Sequence, residues 1–130
     1  MTDKELVILA KDAMEKAYAP YSHFKVGAAL LAKDGRVFQG CNIENASYGA
    51  TNCAERTAIF KAVSEGCREF EKIAIVAGSG DYASPCGICR QVLFEFMPDG
   101  KVILDSKEKG MATFSVQELL PFGFRGEDIK

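Results

Sequence analysis

The sequence predicts a single α/β domain with three layers, α/β/α, around a mixed five-stranded sheet, and three observations predict it. Segments with helical and strand periodicity follow one another in the order α-ββ-α-β-α-β-β-α. Residues 72–77 (KIAIVA) form a nearly continuous apolar run, as a strand buried on both faces requires. The link between the last two strands, residues 105–110, is too short to hold a crossover helix, so strands four and five are expected to be antiparallel. With 130 residues and 48% apolar content, the chain is long enough for a real core, and one domain over residues 1–130 is the expectation.

The elements follow in order. Thr2-Asp3-Lys4-Glu5 has the form of a capping box. Behind it Leu6, Leu9, Ala10, Ala13 and Ala17 recur at helical spacing, which predicts a first helix running to Tyr18, with Pro20 stopping it. Residues 25–32 and 36–41 read as strands joined by Asp34-Gly35, a two-residue hairpin signal. Residues 53–65 read as a second helix with Gly66 just past its end. The strand at 72–77 leads through a Gly/Ser loop to Ser84-Pro85, which predicts a third helix with proline at its first position, ending near Met97. Strands at 101–104 and 111–114 follow. Ser115-Val116-Gln117-Glu118 is a second capping box, opening a short helix that Pro121 ends. The central strand–helix–strand unit is expected to be a parallel crossover.

Composition excludes several classes of function. The net charge is −2 and no run of Lys or Arg occurs, which argues against nucleic acid as the main partner. No apolar stretch approaches the roughly 20 residues of a membrane helix. The N-terminus has charges on both sides of a short apolar run, unlike a secretion signal. A cytoplasmic, reducing compartment is therefore expected, where five cysteines are better read as metal ligands, reactive thiols or buried small residues than as disulfides.

The chemistry concentrates in Cys53-Ala54-Glu55 and Pro85-Cys86-Gly87-Ile88-Cys89. Cys86 and Cys89 are three apart and share one face of a helix start. Cys53 opens the preceding helix, and successive helices of a crossover fold begin at the same sheet edge, so three thiols can converge. Helix N-termini favour thiolates through their positive partial charge and unpaired N–H groups. Three sulfur ligands leave one tetrahedral position of Zn²⁺ open, the mark of a catalytic site. A CxxC alone serves redox chemistry or half of a structural zinc site as readily as this. The third cysteine, two residues before a glutamate, points to metal. Cys41 and Cys67 lie in no ligand-like spacing and read as buried residues. Asn52-x-x-Glu55 also resembles a capping box, so Glu55 reads alternatively as a helix cap. Beside an open zinc position it can instead accept and return a proton. Three thiolates on Zn²⁺ leave a net negative charge that weakens it as a Lewis acid. Arg56, donating to the sulfurs, would offset that charge, and its other reading is a solvated helix arginine.

Six segments carry a resemblance that covers nearly the whole chain: Ala19-Pro20-Tyr21-Ser22, Phe24-Lys25-Val26-Gly27-Ala28-Ala29, Gly40-Cys41-Asn42-Ile43-Glu44-Asn45, Cys53-Ala54-Glu55-Arg56-Thr57-Ala58, Pro85-Cys86-Gly87-Ile88-Cys89-Arg90-Gln91 and Leu119-Leu120-Pro121. In these the chain resembles the small homotetrameric zinc-dependent cytidine deaminases. The resemblance implies a cytidine deaminase-like fold, one Zn²⁺ per chain, and hydrolysis of cytidine and deoxycytidine in pyrimidine salvage. It implies attack on C4 by zinc-bound hydroxide, with Glu55 moving the proton to N3 and then helping ammonia leave. It also implies substrate-binding residues: Asn42 and Glu44 on the ribose 3′-hydroxyl, Phe24 against the base, Asn45 in the same motif, and backbone at Ala54 and at residues 84–86 on the base's polar edge. Tyr48 and Phe124 are similar to residues that complete a neighbouring subunit's site. The chain reads Pro121-Phe122-Gly123-Phe124 where the family more often has Pro-Gly-Ala-Phe, so Phe122 is a second candidate for that place. His23, the sole histidine, receives no metal role.

Three other readings compete. One is a deaminase of another aminated heterocycle of the blasticidin-S type, against which a ribose-directed Asn42 and Glu44 argue. A second is a thiol–disulfide protein using Cys86 and Cys89. The third is a zinc-stabilised RNA-binding module, which would need a basic, aromatic-rich face.

Overall fold

The structure is a computed structural model that describes residues 1–129. Helix α1 (Asp3–Met14) is followed by strands β1 (Val26–Ala32) and β2 (Val37–Cys41), helix α2 (Ala54–Ser64), strand β3 (Phe70–Ala77), helix α3 (Gly87–Phe96), strands β4 (Lys101–Ser106) and β5 (Gly110–Ser115), and the short helix α4 (Val116–Leu119). The sheet order is β2-β1-β3-β4-β5. β3 and β4 are parallel, while β1–β2, β1–β3 and β4–β5 are antiparallel. The mixed five-stranded sheet and the antiparallel last pair are as the sequence predicts.

Side-chain alternation along the strands divides the core in two. Ala28, Leu30, Ile73, Ile75, Val102 and Leu104 face one layer and pack with Ala54, Ala58 and Ile59 of α2, Leu93 of α3 and Val116 of α4. Ala29, Leu31, Ala74, Val76 and Ile103 face the other and meet Leu6, Val7 and Ala10 of α1. Among the described residues no helix is long and apolar enough to cross a membrane.

The direction of the strands positions the site. β1 is antiparallel to both β2 and β3, so β2 and β3 run the same way. α2 follows β2 and α3 follows β3, and both helices therefore start at the same edge of the sheet.

Local signals hold with three differences. Both capping boxes form, at Thr2/Glu5 and Ser115/Glu118. α1 stops at Met14, not Tyr18; two tighter turns follow it, and Tyr18 instead joins Ile43 in an isolated bridge. The β1–β2 hairpin has a three-residue loop. The Gly35 N–H donates to Ala32 O and the Ala32 N–H to Arg36 O, and of Asp34 and Gly35 only the glycine takes a positive φ (94°). That is a turn followed by a left-handed glycine, not the two-residue link. Pro85 lies outside α3, whose cap position is taken by Cys86; Ser84 accepts from Arg90 instead of capping.

α2 ends as its glycine predicts. Gly66 has φ 90°, its N–H donates to Val63 O, and the next N–H, of Cys67, reaches back to Ala62 O. This pairing satisfies the last carbonyls of the helix. Gly66→Ala forces an L side chain into the left-handed region, so urea unfolding should show a loss of about 1–2 kcal/mol with the m-value unchanged.

Candidate active site

The site begins where two helices start. Cys53 is the cap residue of α2 and Cys86 that of α3, both with extended backbone and neither side chain accepting a capping hydrogen bond from a backbone N–H of its own helix. A side chain in the cap position lies over that of the third helical residue. In α3 that residue is Cys89, fully buried; in α2 it is Arg56. The Sγ atoms of Cys53, Cys86 and Cys89 all lie within 4.8 Å of one another. Sulfurs sharing one tetrahedral zinc at about 2.3 Å stand about 3.8 Å apart, so small side-chain adjustments bring the three onto one ion.

The electrostatics fit a cation at that point. Cys53 is held down at about 5 because Cys89 donates a hydrogen bond to it and Arg56 stands beside it, against the opposing effect of burial. Cys89 is pushed well above the usual thiol range by that same hydrogen bond and by its burial. Cys53 and Cys89 thus resist ionising together unless a positive charge joins them. A soft divalent cation preferring thiolates, such as Zn²⁺, is the complement of this donor set.

Glu55 is only 5% exposed. Burial pushes its carboxyl above the ordinary carboxylate range, and the charge on Cys53 adds to that. It does not complete a capping box with Asn52: Cys53 is the cap residue, and the Asn52 amide donates to the Thr57 hydroxyl at 3.0 Å. Arg56 donates from Nη2 to Cys53 Sγ at 3.2 Å, while its Nε is buried with no hydrogen-bond partner among the described residues. A solvated helix arginine would have neither feature.

The segment just past β2 lies beside this cluster. Ile43 pairs with Asn52, the residue before Cys53, through two backbone hydrogen bonds of 2.9 Å, and the Glu44 N–H donates to Tyr18 O at 2.8 Å. Asn42 is buried: its Oδ1 accepts from the Val26 N–H at 2.9 Å and its Nδ2 donates to Phe24 O at 2.7 Å. Glu44 accepts from the Tyr21 and Ser22 N–H groups, and from the Ser22 hydroxyl, which together hold its carboxyl below the usual range. Both residues therefore fix the loop that presents Phe24. Asn45 accepts from the Ser47 N–H. Tyr21, Ser22, Glu44, Asn45, Tyr48 and Thr51 line a cavity of about 380 Å³, over which the Tyr21 and Tyr48 rings stand edge to face at 6.4 Å. Ala54 is buried at the helix start.

Phe122 and Phe124 lie away from that cavity. Phe122 is fully exposed with a positive φ of 56°. Phe124 is exposed, but its backbone is clamped by Gln91, which donates to its carbonyl at 2.8 Å and accepts from its N–H at 3.1 Å. His23 is exposed and outside the cysteine cluster. The sequence reading gave no role to Ser22, Arg90 or Gln91. Arg90 forks onto Pro85 O, Ser84 Oγ and Leu119 O at 2.7, 2.7 and 2.9 Å, fixing the approach to Cys86. Its place four residues after Cys86, with helical side chains leaning toward the N-terminus, is the signal that could have found it.

Residues 1–105 match the family model described as the cytidine and deoxycytidylate deaminase zinc-binding region. The chain is 54% identical over 129 residues to a cytidine deaminase of Halalkalibacterium halodurans, covering 98% of each. A crystal structure of cytidine deaminase from Burkholderia pseudomallei superimposes with a TM-score of 0.91 at 52% identity, covering 95% of this chain and 100% of that one. A more distant relative, 33% identical over 130 residues and covering 94% of this chain and 91% of its own length, is a blasticidin-S deaminase of Bacillus cereus. Arg56→Ala should weaken zinc binding by about 10–100-fold in a chelator competition, and unchanged affinity would mean that the contact of Arg56 to Cys53 does not act on the metal.

Proposed function

The chain belongs to the cytidine and deoxycytidylate deaminase family, and we propose that it is a cytidine deaminase that converts cytidine or 2′-deoxycytidine and water to uridine or 2′-deoxyuridine and ammonia. The observation that carries the reading is a buried Glu55 two residues from Cys53, where three sulfurs meet.

Cys53, Cys86 and Cys89 would hold the zinc, and its Lewis acidity would make a water acidic and nucleophilic near neutral pH. Glu55 is placed to accept a proton from the attacking water and would deliver it to N3 of the pyrimidine, which makes C4 more electrophilic. After attack at C4 it carries the second proton to the exocyclic nitrogen, which leaves as ammonia. Its burial keeps bulk water from intercepting the proton, and its attachment to the first turn of α2 fixes its distance from the sulfurs. Arg56 offsets part of the negative charge on Cys53.

Substrate recognition is assigned to residues around the same edge. Asn42 spends one amide hydrogen and one oxygen lone pair on the backbone, which leaves one donor and one acceptor for a ribose hydroxyl. Glu44, held ionised, accepts from that hydroxyl. Phe24, nearly half exposed beside them, offers a face for the base. Asn45 shapes the turn that carries Tyr48. The backbone at Ala54 and at residues 84–86 reads the base's polar edge.

Tyr48 is 79% exposed and Phe124 57% exposed, and both carry aromatic rings with little cover in one chain. The family resemblance supports a homotetramer in which Tyr48 and Phe124 complete a neighbour's site and gain cover there, with Phe124 favoured over Phe122 because Gln91 fixes its backbone. The setting is pyrimidine salvage in the cytoplasm.

Two rivals are weaker on particular grounds. A blasticidin-type substrate has no use for the ribose-directed pair Asn42 and Glu44. A redox pair at Cys86 and Cys89 leaves Cys53 and the buried Glu55 without a purpose. Ultraviolet absorbance loss measured with cytidine, deoxycytidine, cytosine and cytidylate should occur with the two nucleosides and stop on adding a zinc chelator. No loss with either nucleoside on zinc-loaded protein rejects the reading. Glu55→Gln should retain its zinc while turnover falls on the order of 10²–10⁴-fold; retained turnover would remove Glu55 from the proton path.

A further inference from the structure

We propose that Gly40 is a positioning residue for the metal site: the absence of a side chain there sets how deeply the first turn of α2, with Cys53 and Glu55, seats against the sheet. Gly40 lies in β2 opposite Ala28 of β1 and faces α2. A Cβ at this position would stand 2.5 Å from the Ala54 carbonyl oxygen, 2.5 Å from the Ala58 nitrogen and 3.0 Å from the Ala58 Cα. Every one of these atoms is backbone, so no rotamer change relieves the contact. Restoring ordinary separations of about 3.5 Å needs the helix start to back off by about 1 Å. The peptide that must move is at Ala54, between Cys53 and Glu55.

The other two sulfurs ride on α3, which follows a different strand, so a shift of α2 is not shared by Cys86 and Cys89. Zinc–sulfur bonds tolerate only about ±0.2 Å. A displacement near 1 Å therefore separates Cys53 from the metal held by the other two, or tilts Glu55 away from it. Gly40 acts through α2 and touches no reacting atom.

The neighbouring rung of the same ladder supplies a matched comparison. Gly27 pairs with Cys41, faces the opposite layer, and a Cβ there would stand 2.1 Å from Ala10 O and 2.6 Å from Met14 N, both in α1. Gly27→Ala carries a backbone clash of the same kind into a layer with none of the site residues. General loss of packing should affect both variants, while loss of position should affect only Gly40→Ala.

The inference rests on Cys53 being a zinc ligand, and the test separates the two ideas. Zinc affinity is measured by chelator competition on folded Gly40→Ala, Gly27→Ala and Cys53→Ser, with thermal melting and the absorption of the cobalt-substituted proteins alongside. Gly40→Ala is expected to bind zinc at least about tenfold more weakly and to change the cobalt spectrum. Gly27→Ala is expected to melt lower yet keep zinc affinity within about twofold, since its clash falls on α1 in the opposite layer, which carries none of the three cysteines. Wild-type affinity and spectrum in Gly40→Ala, or an equal loss in Gly27→Ala, overturns the proposal. Wild-type affinity in Cys53→Ser overturns the ligand assignment instead. If Gly40→Ala yields no folded protein, Ala58→Ser adds one atom to the same buried helix. A weaker zinc affinity is then expected, and an unchanged one overturns the proposal.

Discussion

Three sulfur atoms on two helices reach one point only because β2 and β3 run in the same direction, and the rest of the site depends on that constraint. β1 lies between them and is antiparallel to both, so α2 and α3 each leave from the same sheet edge. Both helices then present a cysteine in the cap position, where serine, threonine or aspartate would normally accept from the free N–H groups. Giving up that cap costs about 0.5–2 kcal/mol per helix. In exchange, two thiols sit at the positive ends of helices, where a thiolate is stabilised, and the unused N–H groups add to the field around them. The stability lost at the caps is recovered elsewhere: capping boxes close α1 and α4, and the glycine pairing closes the far end of α2.

Small residues convert this arrangement from approximate to close. Ala54, Ala58 and Ala62 form the buried stripe of α2, and it lies on a strand pair containing Gly40 and Ala28. A stripe of alanine over glycine lets backbone approach backbone, so along this stripe the helix rests on main chain and not on long side chains. On the opposite face Gly27 brings α1 in by the same device. The sheet is gripped from both sides at adjacent rungs of one ladder, and the edge that carries the sulfurs is the edge where that grip is tightest.

How far the sequence reveals this follows the range of the interactions involved. The capping boxes, the glycine after α2, the doubly buried strand and the cysteine spacing are local patterns and are legible directly. The convergence of Cys53 with Cys86 and Cys89 is legible at one remove, because element order fixes strand direction and strand direction fixes the helix starts. What escapes is decided by partners far away in sequence. α1 ends early because Tyr18 is drawn into pairing with Ile43. Pro85 stays outside α3 because Arg90 holds its carbonyl. Asn42 and Glu44 read as polar loop residues, yet each spends half of its hydrogen-bonding capacity on backbone groups 16 to 23 residues away. No periodicity encodes those choices. Only the resemblance to a family singled these residues out in advance.

The placement of Arg56 follows from the same geometry as the metal ligands. In each helix the cap residue and the third helical residue stand over one another; in α3 both are cysteines, and in α2 the second of the pair is Arg56. The fold thus offers four equivalent places around the point of convergence and fills three with sulfur and the fourth with a guanidinium. A fourth thiol would close the coordination sphere and leave no place for a reacting water. An apolar residue would leave three thiolates on one divalent ion with an excess negative charge that blunts its acidity. A guanidinium cannot coordinate and cannot lose its proton, so it supplies positive charge without occupying the open position. Its buried, unpartnered Nε is a cost that a solvent-facing arginine would not bear, and the contact to Cys53 is what sets against that cost.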